Sequence, residues 1–323
     1  PTPASAAARF FSASARLCGR MRGMIMTAGI WDVVDKGRAS PSAASKALKA
    51  NHSYSIGVLF ANECGGLKSP FFSAVLDSFW QAAQKQGYDI TLISLGQSAM
   101  THGKHRDVDG ICVASVDFHA AEVAQLMRAK LPAITIDHSF PNHSAVFSDS
   151  VGGMELLVAH AAKLGHQRIA YVHGKQSAVT EARLTSFRHA MNQHALTVRE
   201  AYLLEAEYLQ PRKCYGAVRK LLTMTEAPTC ILAPDDLAAF GALEAIRDAG
   251  LMVGKEISLA GYDGSELLQL ARPKLCTIRQ NAWEIGRRAA ELLIERIQQP
   301  SVARICNLIV PVELLPGDTL GQA

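Results

Sequence analysis

Charged side chains follow several of the apolar runs in this chain, at the points where the runs end. Asp137 and His138 follow one run, and Asp235 and Asp263 follow two others. Arg183 lies near the start of the amphipathic segment that comes after a fourth run. Carboxylates accept hydrogen bonds from paired hydroxyls, and a guanidinium presents a rigid fork of donors. This combination is the chemistry needed to bind a polyhydroxylated molecule such as a sugar.

These residues have two interpretations, a ligand cleft and ordinary local structure. A sugar has apolar C–H faces that favour aromatic walls, and Phe72, Tyr262 and Trp283 supply such side chains. An Asp directly after a strand is frequently the N-cap of the next helix, so Asp235 by itself suits either role. Charged groups at the same end of several strands favour the cleft, because ligands bind beyond the carboxyl ends of the strands in open α/β sheets.

The sequence offers little for catalysis. The nucleophile pattern GxSxG, the zinc-protease pattern HExxH and the phosphate-binding patterns GxxxxGKS and GxxxxGKT are missing. The eleven His residues show no metal-ligand spacing, and His166 is expected to brace a turn. We therefore expect no enzyme activity, no cofactor and no metal site.

From residue 54 onward, short runs with β-branched residues alternate with longer runs of helical periodicity. Strands are predicted at Ser55–Ala61, Asp89–Ser94, Gly110–Ala114, Ala133–Asp137, Arg168–His173, Tyr202–Leu204, Cys230–Ala233, Ile257–Tyr262 and Arg304–Val312. Helices are predicted at Phe71–Gln86, Ala120–Ala129, Val151–Leu164, Glu181–His194, Arg212–Leu222, Leu237–Ala249 and Ala282–Gln298. Such alternation implies βαβ units and parallel sheets. The units are too many for one compact sheet, so the predicted fold class is α/β with two doubly wound parallel-sheet lobes.

The bulk composition is that of an ordinary globular protein. Hydrophobic residues make up 49% and charged residues 19%, and a formal charge of +4 is too small to prove a nucleic-acid surface. Seven scattered cysteines without CxxC spacing predict buried, reduced thiols and a cytoplasmic location. No apolar run reaches the roughly 18–20 residues of a membrane span. Residues 1–31 contain four Arg and no acid, as targeting segments do; an irregular arm is the alternative that we favour.

Several segments, taken in order, resemble one known family. LGHQRIAYVHG, the run Arg183–Phe187, APDDLAAFGALEAIRDAGLMVGKEISLAGYD and PKLCTIRQNAWEIG resemble the effector-binding domain of LacI-type bacterial transcription regulators. The resemblance runs from residue 54 to about 315, and in combination its motifs are highly specific. It implies the periplasmic-binding-protein-like type I fold, which is shared with periplasmic sugar-binding proteins.

The resemblance also implies residues that bind a small carbohydrate or sugar-phosphate effector. Asp137 and His138 match a hydroxyl-binding pair that is usually Asp-Arg in the family. Arg183 matches a sugar-gripping arginine, and Asp235 falls where Asn is frequent. The full implied set is Ser69, Phe72, Asp137, His138, Arg183, Asp235, Tyr262, Asp263 and Gln280.

In this family three segments pass between the lobes, and the resemblance places them near residues 163, 281 and 303. The N-terminal lobe is then expected at 54–163 plus 282–303, and the C-terminal lobe at 164–281 plus 304–323. Closure of the lobes about these hinges would link effector binding to a partner through a population shift.

Residues 30–53 resemble a headpiece remnant followed by the family's hinge helix. The segment SPSAASKALKANHSYSI keeps the required spacing between Pro41, Leu48 and Ile56. In the family the matching Leu wedges open a base step in the minor groove of DNA. The alternative is a plain solvated linker helix. The DNA-binding residues implied by the resemblance are Ala44, Ser45, Leu48 and Lys49.

The chain departs from the family pattern in two places. Residues 1–29 show no capped, periodic pair of helices, so the helix-turn-helix headpiece is degenerate or missing. The segment 96–106, GQSAMTHGKHR, is shorter than expected by roughly 11–12 residues, the length of an ordinary helix. The hypothesis is a cytoplasmic, dimeric regulator, acting as a repressor, that couples a carbohydrate effector to operator DNA. The alternative is a sugar-binding sensor or periplasmic-type receptor without DNA binding.

Overall fold

Parallel strands alternate with helices in the part of the chain that the computed structural model describes. That part comprises residues 52–60, 68–93, 108–114, 116, 118, 120–266, 270, 272–301 and 304–323. The irregular arm, the headpiece remnant, the hinge helix and the shortened segment 96–106 lie outside the described residues. The predicted DNA contacts Ala44, Ser45, Leu48 and Lys49 therefore lie outside them too. Within these ranges, no helix is both long enough and apolar enough to cross a membrane.

The first lobe is built on a parallel sheet. Its strands are β1 (Ser55–Phe60), β2 (Asp89–Ile93), β3 (Gly110–Ala114), β4 (Ala133–Ile136), β5 (Ser144–Ser148) and β11 (Asn307–Val310). Among the described residues their order is β11-β5-β4-β3-β1-β2. Ile56 pairs with Ile90 on one side and with Gly110 on the other. β3 and β4 are buried along their whole length, which explains why they are almost entirely apolar.

The second lobe has its own parallel sheet and an antiparallel pair of strands. The parallel strands are β6 (Ile169–His173), β7 (Leu203–Glu205), β8 (Cys230–Leu232) and β9 (Ser258–Ala260). The antiparallel pair is β10 (Thr277–Gln280) with β12 (Val312–Leu315). In the described part of the chain the parallel order is β7-β6-β8-β9. Bridges from Ala260 to Cys276 and from Asp263 to Arg279 join β9 and its loop to the segment that forms β10.

Helices cover both sheets. They are α1 (Pro70–Lys85), α2 (Ala121–Met127), α3 (Ser150–Lys163), α4 (Ala178–Gln193), α5 (Pro211–Leu222), α6 (Asp236–Asp248) and α7 (Ala282–Gln298). α1 and α7 pack closely on the first sheet because Gly286 has no side chain. A Cβ at Gly286 would lie 2.1 Å from the carbonyl oxygen of Val75. The two doubly wound lobes predicted from the sequence are thus present.

The chain passes between the lobes at positions that the sheets define. It leaves the first sheet after Ser148, because the apolar face of α3, including Met154 and Leu157, packs in the core of the second lobe. It returns at Asn281, since α7 packs in the core of the first lobe. It crosses again at Pro311, between β11 and β12. The first and third of these positions differ from the crossovers expected near 163 and 303, because the helix before 163 packs in the second lobe and the strand after 303 pairs in the first sheet.

The sequence did not predict two of the strands, nor the interruption of a third strand at Pro311. β5 reads SAVFS and β10 reads TIRQ, and neither has the continuous apolar run that identified the other strands. The single strand expected over Arg304–Val312 is interrupted at Pro311, and the strands on either side of it, β11 and β12, belong to different sheets. Proline has no backbone N–H to donate to a ladder, so a strand ends there. α4 begins at Ala178 instead of Glu181, because Ser177 caps it through Thr180 N.

The cysteines follow the expectation of buried thiols with one exception. Cys112, Cys214, Cys230 and Cys276 are free and buried, whereas Cys306 is free and exposed. Cys306 lies immediately before the edge strand β11, which leaves it open to solvent. The remaining two cysteines lie outside the described residues.

His166 lies where the second lobe closes on the C-terminal segment of the chain, as a turn-bracing residue should. Its Nδ1 is 2.9 Å from Thr229 Oγ1, and its Nε2 is 3.1 Å from the carbonyl oxygen of Gly321. The residue is only 2% exposed, and burial lowers the pKa of His166. Both ring nitrogens are thus engaged in structural contacts.

Candidate functional site

Arg183 is the buried cation around which the candidate site is built. It projects from α4 and is only 4% exposed. Its guanidinium carbon lies 3.6 Å from the ring centre of Tyr262 and 5.8 Å from that of Tyr208. Nη1 donates to the carbonyl oxygen of Pro234 at 3.1 Å. A desolvated cation–π contact contributes about 2 kcal/mol, so the aromatic rings offset part of the cost of burying this charge.

Carboxyl groups from both lobes surround the guanidinium. Asp137 of the first lobe and Asp235 and Asp263 of the second each interact electrostatically with Arg183. Burial by itself lowers the pKa of Arg183. The negative potential of Tyr262, the neighbouring tyrosines and Asp263 outweighs that effect and leaves the pKa raised. Arg183 therefore stays charged, and it lies where groups from the two sheets meet.

Asp263 is held in an unusual backbone conformation at the end of β9. Its φ is 119°, a region that side-chain-bearing residues rarely adopt. Its Oδ1 accepts a hydrogen bond from Gln280 Nε2 at 2.7 Å. Burial, reinforced by the charges of Asp235 and Asp236, raises the pKa of Asp263 well above its ordinary value. Strain of this kind costs on the order of 1–3 kcal/mol and clusters at functional sites.

Asp235 is the N-cap of a helix, one of the two roles that its position after a strand allows. Its Oδ1 accepts from the backbone N–H of Ala238 at 2.7 Å, which makes it the N-cap of α6. Its Oδ2 accepts from the backbone N–H of Leu209, also at 2.7 Å. The residue is 2% exposed, and burial raises its pKa despite these two hydrogen bonds. Asp235 thus anchors the loop before α5 and contributes negative potential to the site.

Asp137 brings the first lobe to the site. Its backbone is left-handed, with φ of 57°, and its Oδ1 accepts from the backbone N–H of Ser148 at 2.9 Å. Ser148 is the last residue of β5, directly before the chain crosses to the second lobe. Burial raises the pKa of Asp137, and the charge of Arg183 opposes that shift. Asp137 therefore links the crossover at Ser148 electrostatically to the guanidinium of the other lobe.

The other predicted residues of the first lobe make local contacts. Ser69 Oγ accepts from Phe72 N at 3.3 Å and caps α1. Phe72 is half-buried and packs edge-on against Phe71, with ring centres 5.1 Å apart. The His138 ring stacks on Phe118, with centres 3.9 Å apart and planes 12° apart. The described contacts of these three residues do not include Arg183, and their role in ligand binding stays a prediction.

Several buried polar atoms at the site have no hydrogen-bond partner. They include Nε of Arg183, the phenol oxygen of Tyr262 and Oγ of Ser148. A buried polar group left unpaired costs about 1–3 kcal/mol, so such atoms are rare in folded proteins. Their position around one guanidinium and its neighbour Asp137 indicates that a ligand or water completes these hydrogen bonds.

The set of site residues predicted from the sequence lacks three residues of this group. Tyr171 lies on β6 and contributes to the electrostatic environment of Arg183. Tyr208 lies in the loop after β7, and its phenol oxygen is 2.9 Å from Thr180 Oγ1. Asp236 accepts from Thr277 Oγ1 at 2.5 Å and from Ser265 N at 2.7 Å. Tyr171 lies in the motif LGHQRIAYVHG and Asp236 in the segment that begins APDD, whereas the loop of Tyr208 has no periodic pattern.

Burial strongly perturbs the carboxyl group of Asp236. The residue is 1% exposed, and burial raises its pKa to about 7 despite the two hydrogen bonds that it accepts. Trp283, in contrast, does not join the group as an aromatic wall. It is 52% exposed at the start of α7, and its ring centre lies 5.8 Å from the guanidinium carbon of Arg287.

The two-lobed fold with its buried polar group around Arg183 can be compared with known proteins. Residues 158–320 match the family model of the periplasmic binding protein-like domain. A curated relative, the HTH-type transcriptional repressor PurR of Glaesserella parasuis, is 28% identical over 283 residues, which are 84% of this chain and 82% of the relative.

Solved structures extend the likeness to three dimensions. A LacI family transcriptional regulator from Enterococcus faecium, solved with bound ribose, has 26% identity and a TM-score of 0.72. The match covers 83% of this chain and 99% of that chain. The lac repressor dimer bound to operator and the anti-inducer ONPF has 24% identity and a TM-score of 0.76, over 88% of this chain and 100% of that one. The similarity to the lac repressor structure shows that the two proteins share a fold.

The two-lobed fold is that of a ligand-binding domain. The chain belongs to the periplasmic-binding-protein-like family, as a LacI-type transcription regulator with such a domain. The resemblance inferred from the sequence motifs is thereby confirmed.

Proposed function

We propose that this regulator is a repressor that binds a small carbohydrate between its two lobes and couples occupancy of that cleft to operator DNA. The buried Arg183, with its unpaired Nε, carries the proposal. It is a donor enclosed by aromatic rings and carboxyl groups, which is the chemistry that hydroxyls require. The related regulator from Enterococcus faecium, solved with bound ribose, supports a carbohydrate as the effector class.

In this proposal the second lobe supplies the main contacts to the sugar. Arg183 donates to ring or hydroxyl oxygens, and Asp263, positioned by Gln280, accepts from hydroxyls. Tyr262 offers its phenol oxygen, while its ring face is occupied by the guanidinium. Asp235 acts chiefly through its charge, because its described hydrogen bonds hold backbone groups. The cleft binds and orients; no catalytic step is assigned to it.

The first lobe closes the site. Asp137, Ser69, Phe72 and His138 are the residues proposed to meet the sugar from that side. Asp137 stands next to the crossover after Ser148, and Gln280 stands next to the crossover at Asn281. A ligand that favours the closed arrangement of the lobes shifts the population toward it, and the crossovers act as the hinges. Affinity for DNA then changes by the coupling free energy between the two sites.

The DNA-binding half of the proposal rests on relatives and on sequence. Ala44, Ser45, Leu48 and Lys49 are proposed to contact operator DNA as part of a hinge helix in a homodimer in the cytoplasm. The likeness to PurR, named a transcriptional repressor, supports this assignment. An effector-binding sensor without DNA binding is the alternative, and a binding assay with the full chain separates the two.

The deciding experiment is a titration of the full chain with a panel of pentoses and hexoses, followed by thermal unfolding and calorimetry. A sugar that binds only the native state raises the unfolding temperature. Arg183→Ala and the more conservative Arg183→Lys should both lose this response, because Lys keeps the charge and loses the planar fork. Arg188→Ala is the matched control, since Arg188 lies on the same helix and its ion pair with Glu200 is exposed. Unchanged affinity in both Arg183 variants would remove this residue from the site.

The coupling between sugar binding and DNA binding requires a separate experiment. A gel shift at low salt with the full chain and a pool of random duplexes should yield a retained fraction, and the sugar found in the first arm should change its affinity. A complete absence of DNA binding under these conditions would favour the sensor without DNA binding. It would leave the assignment of the sugar cleft intact.

A further inference from the structure

Tyr54 lies directly before β1, at the point where the chain enters the first sheet. Its backbone is left-handed, with φ of 53°, a conformation that residues with bulky side chains rarely adopt. Such strain persists only where the surrounding contacts maintain it. The contacts of Tyr54 therefore set the direction in which the chain enters β1.

Contacts from two neighbouring strands hold Tyr54 in place. Its backbone N–H donates to Oδ2 of Asp109 at 2.8 Å, and its carbonyl oxygen accepts from the N–H of Asp89 at 2.9 Å. Its ring centre lies 5.7 Å from that of Tyr88, which is 3% exposed. Asp109 precedes β3 and Tyr88 precedes β2, and these strands are the two neighbours of β1 in the sheet. The conformation of Tyr54 thus depends on where both neighbouring strands begin.

The last turn of α7 packs against the beginning of β3. A Cβ at Gly110, the residue after Asp109, would lie 2.8 Å from Cδ1 of Ile297. Tyr88 and Ile297 also belong to one hydrophobic core cluster. Because packed interiors have little free volume, a shift of this turn of α7 displaces the residues that hold Tyr54.

The first turn of α7 stands beside the candidate site. Asn281 caps the helix through Glu284 N at 3.0 Å, and the preceding residue, Gln280, donates to Asp263 at 2.7 Å. The helix has 17 residues, which span about 25 Å at the usual rise per residue. α7 therefore connects the proposed sugar site at one end with the beginning of β3 at the other.

We propose that the hydrogen bond between Tyr54 and Asp109 transmits occupancy of the sugar site, through α7, to the chain segment that precedes residue 54. This inference rests on the proposed function, in which that segment contains the contacts to operator DNA. Closure of the lobes moves α7 at its crossover, and the helix carries the movement to Gly110 and Asp109. The conformation of Tyr54 is strained, so a change in this hydrogen bond lets the backbone relax and redirects the residues before it.

The first experiment follows this hydrogen bond in the unmodified full chain. Hydrogen exchange resolved to single amides is measured with and without a saturating sugar, beginning with ribose and continuing through the pentose and hexose panel. We expect the sugar that binds to change the exchange rate of the Tyr54 amide at least threefold. The reference is the amide of Ala129, which donates to the carbonyl oxygen of Leu126 at 3.0 Å at the end of α2 in the same lobe. Its rate should stay the same, and equal changes at the two amides overturn the inference.

Variants test whether the same hydrogen bond carries the signal to DNA. Asp109→Ala removes the acceptor for Tyr54 N, and Tyr54→Gly removes the ring and gives the backbone many accessible conformations. Both should keep the affinity for the sugar, measured by calorimetry. The effect of the sugar on DNA affinity, measured by gel shift, should fall at least threefold. Asp77→Ala is the matched control, because it removes a carboxylate from the exposed side of α1 in the same lobe and should leave that effect unchanged.

Gly110→Ala tests the route along α7. The added Cβ would meet Ile297 and push the last turn of the helix away from the beginning of β3. This variant should also keep its affinity for the sugar and lose at least two thirds of the sugar's effect on DNA affinity. Gly216→Ala is its control, since a Cβ there meets no atom within 4 Å, and the effect should be normal.

The outcomes separate this inference from the function on which it rests. Normal coupling in Asp109→Ala and Tyr54→Gly, or in Gly110→Ala, overturns the inference while the sugar site and the DNA contacts stand. Equal losses in Asp109→Ala and Asp77→Ala overturn it too, because the loss would then be general. If the variants do not bind the sugar, the Tyr54 amide in the unmodified chain decides alone. If no pentose or hexose binds, or no duplex is retained, that half of the proposed function fails and the inference fails with it.

Discussion

Gln280 donates through Nε2 to Oδ1 of Asp263 at 2.7 Å, and this hydrogen bond ties the end of β10 to the strained residue that follows β9. The next residue, Asn281, caps α7 through Glu284 N at 3.0 Å and is the point where the chain returns to the first lobe. Asp263, which we propose to bind the effector, is therefore one hydrogen bond and one residue away from a crossover between the lobes. This is a short physical connection between the proposed binding site and that crossover.

The first prediction concerns this connection. Gln280→Met keeps the length of the side chain and removes the donor, so Asp263 loses the contact that holds it. We expect the affinity for the effector sugar to fall about tenfold, the equivalent of about 1.4 kcal/mol, and the unfolding temperature to change little. Gln81→Met is the control, because it breaks an exposed bond of 3.0 Å to Asp77 on α1. Equal sugar affinities in the two variants would contradict a positioning role for Gln280.

Tyr262 provides a second prediction, through the glycine that faces it. A Cβ at Gly153 would lie 2.1 Å from the Tyr262 phenol oxygen, and Tyr262 is 1% exposed and cannot easily move aside. Gly153→Ala should therefore push the ring off the guanidinium of Arg183 and weaken sugar binding tenfold or more. Calorimetric titration measures the effect.

Gly216→Ala is the matched control for that substitution. Gly216 lies inside α5, and a Cβ there meets no atom within 4 Å. Ala is favoured over Gly in a helix by up to about 1 kcal/mol, so this control should bind sugar normally and unfold at a slightly higher temperature. A Gly153→Ala protein that binds like the Gly216→Ala protein would show that the stack of Arg183 on Tyr262 is dispensable.

The third prediction is a dependence of stability on pH. The pKa of Asp236 is about 7 in the folded protein against an ordinary value of 3.8. Between these values the folded chain holds a proton that the unfolded chain has released, so the free energy of unfolding falls as pH rises from about 4 to about 7. The penalty is absent below this window and constant above it.

Asp236→Asn tests this dependence because an amide does not titrate. The substitution loses the acceptor for Ser265 N and so costs stability at acid pH. Relative to the unmodified protein it should recover on the order of 3 kcal/mol between pH 4.5 and pH 7.5, because each pH unit between 4.5 and 7 costs the unmodified protein about 1.4 kcal/mol. Urea denaturation at a series of pH values provides the measurement. A difference between the two proteins that is constant with pH would mean that Asp236 does not titrate in this range.

Local sequence was enough to predict the alternating strands and helices and to identify part of the candidate site. Gly110–Ala114 and Ala282–Gln298 have the residues predicted, since a continuous apolar run and a regular apolar face are local properties. Arg183 on α4 interacts with Asp235, Tyr262 and Asp263, which follow second-lobe strands, and Gln280 at the end of β10 holds Asp263. The rule that ligand groups collect at carboxyl strand ends depends on strand direction, which the alternation of strands and helices already implies.

Tertiary structure decided the path between the lobes and the state of each polar group. The crossovers after Ser148 and at Pro311 follow from which core receives each apolar face, and no short segment carries that information. The sequence could not separate cap from ligand at Asp235, because both roles use the same carboxylate after the same strand. Partners distant along the chain, such as Leu209 for Asp235 and Tyr208 for Arg183, set hydrogen bonding, burial and charge. Only folding brings these groups within a few ångströms, and electrostatic and hydrogen-bond energies depend on those distances.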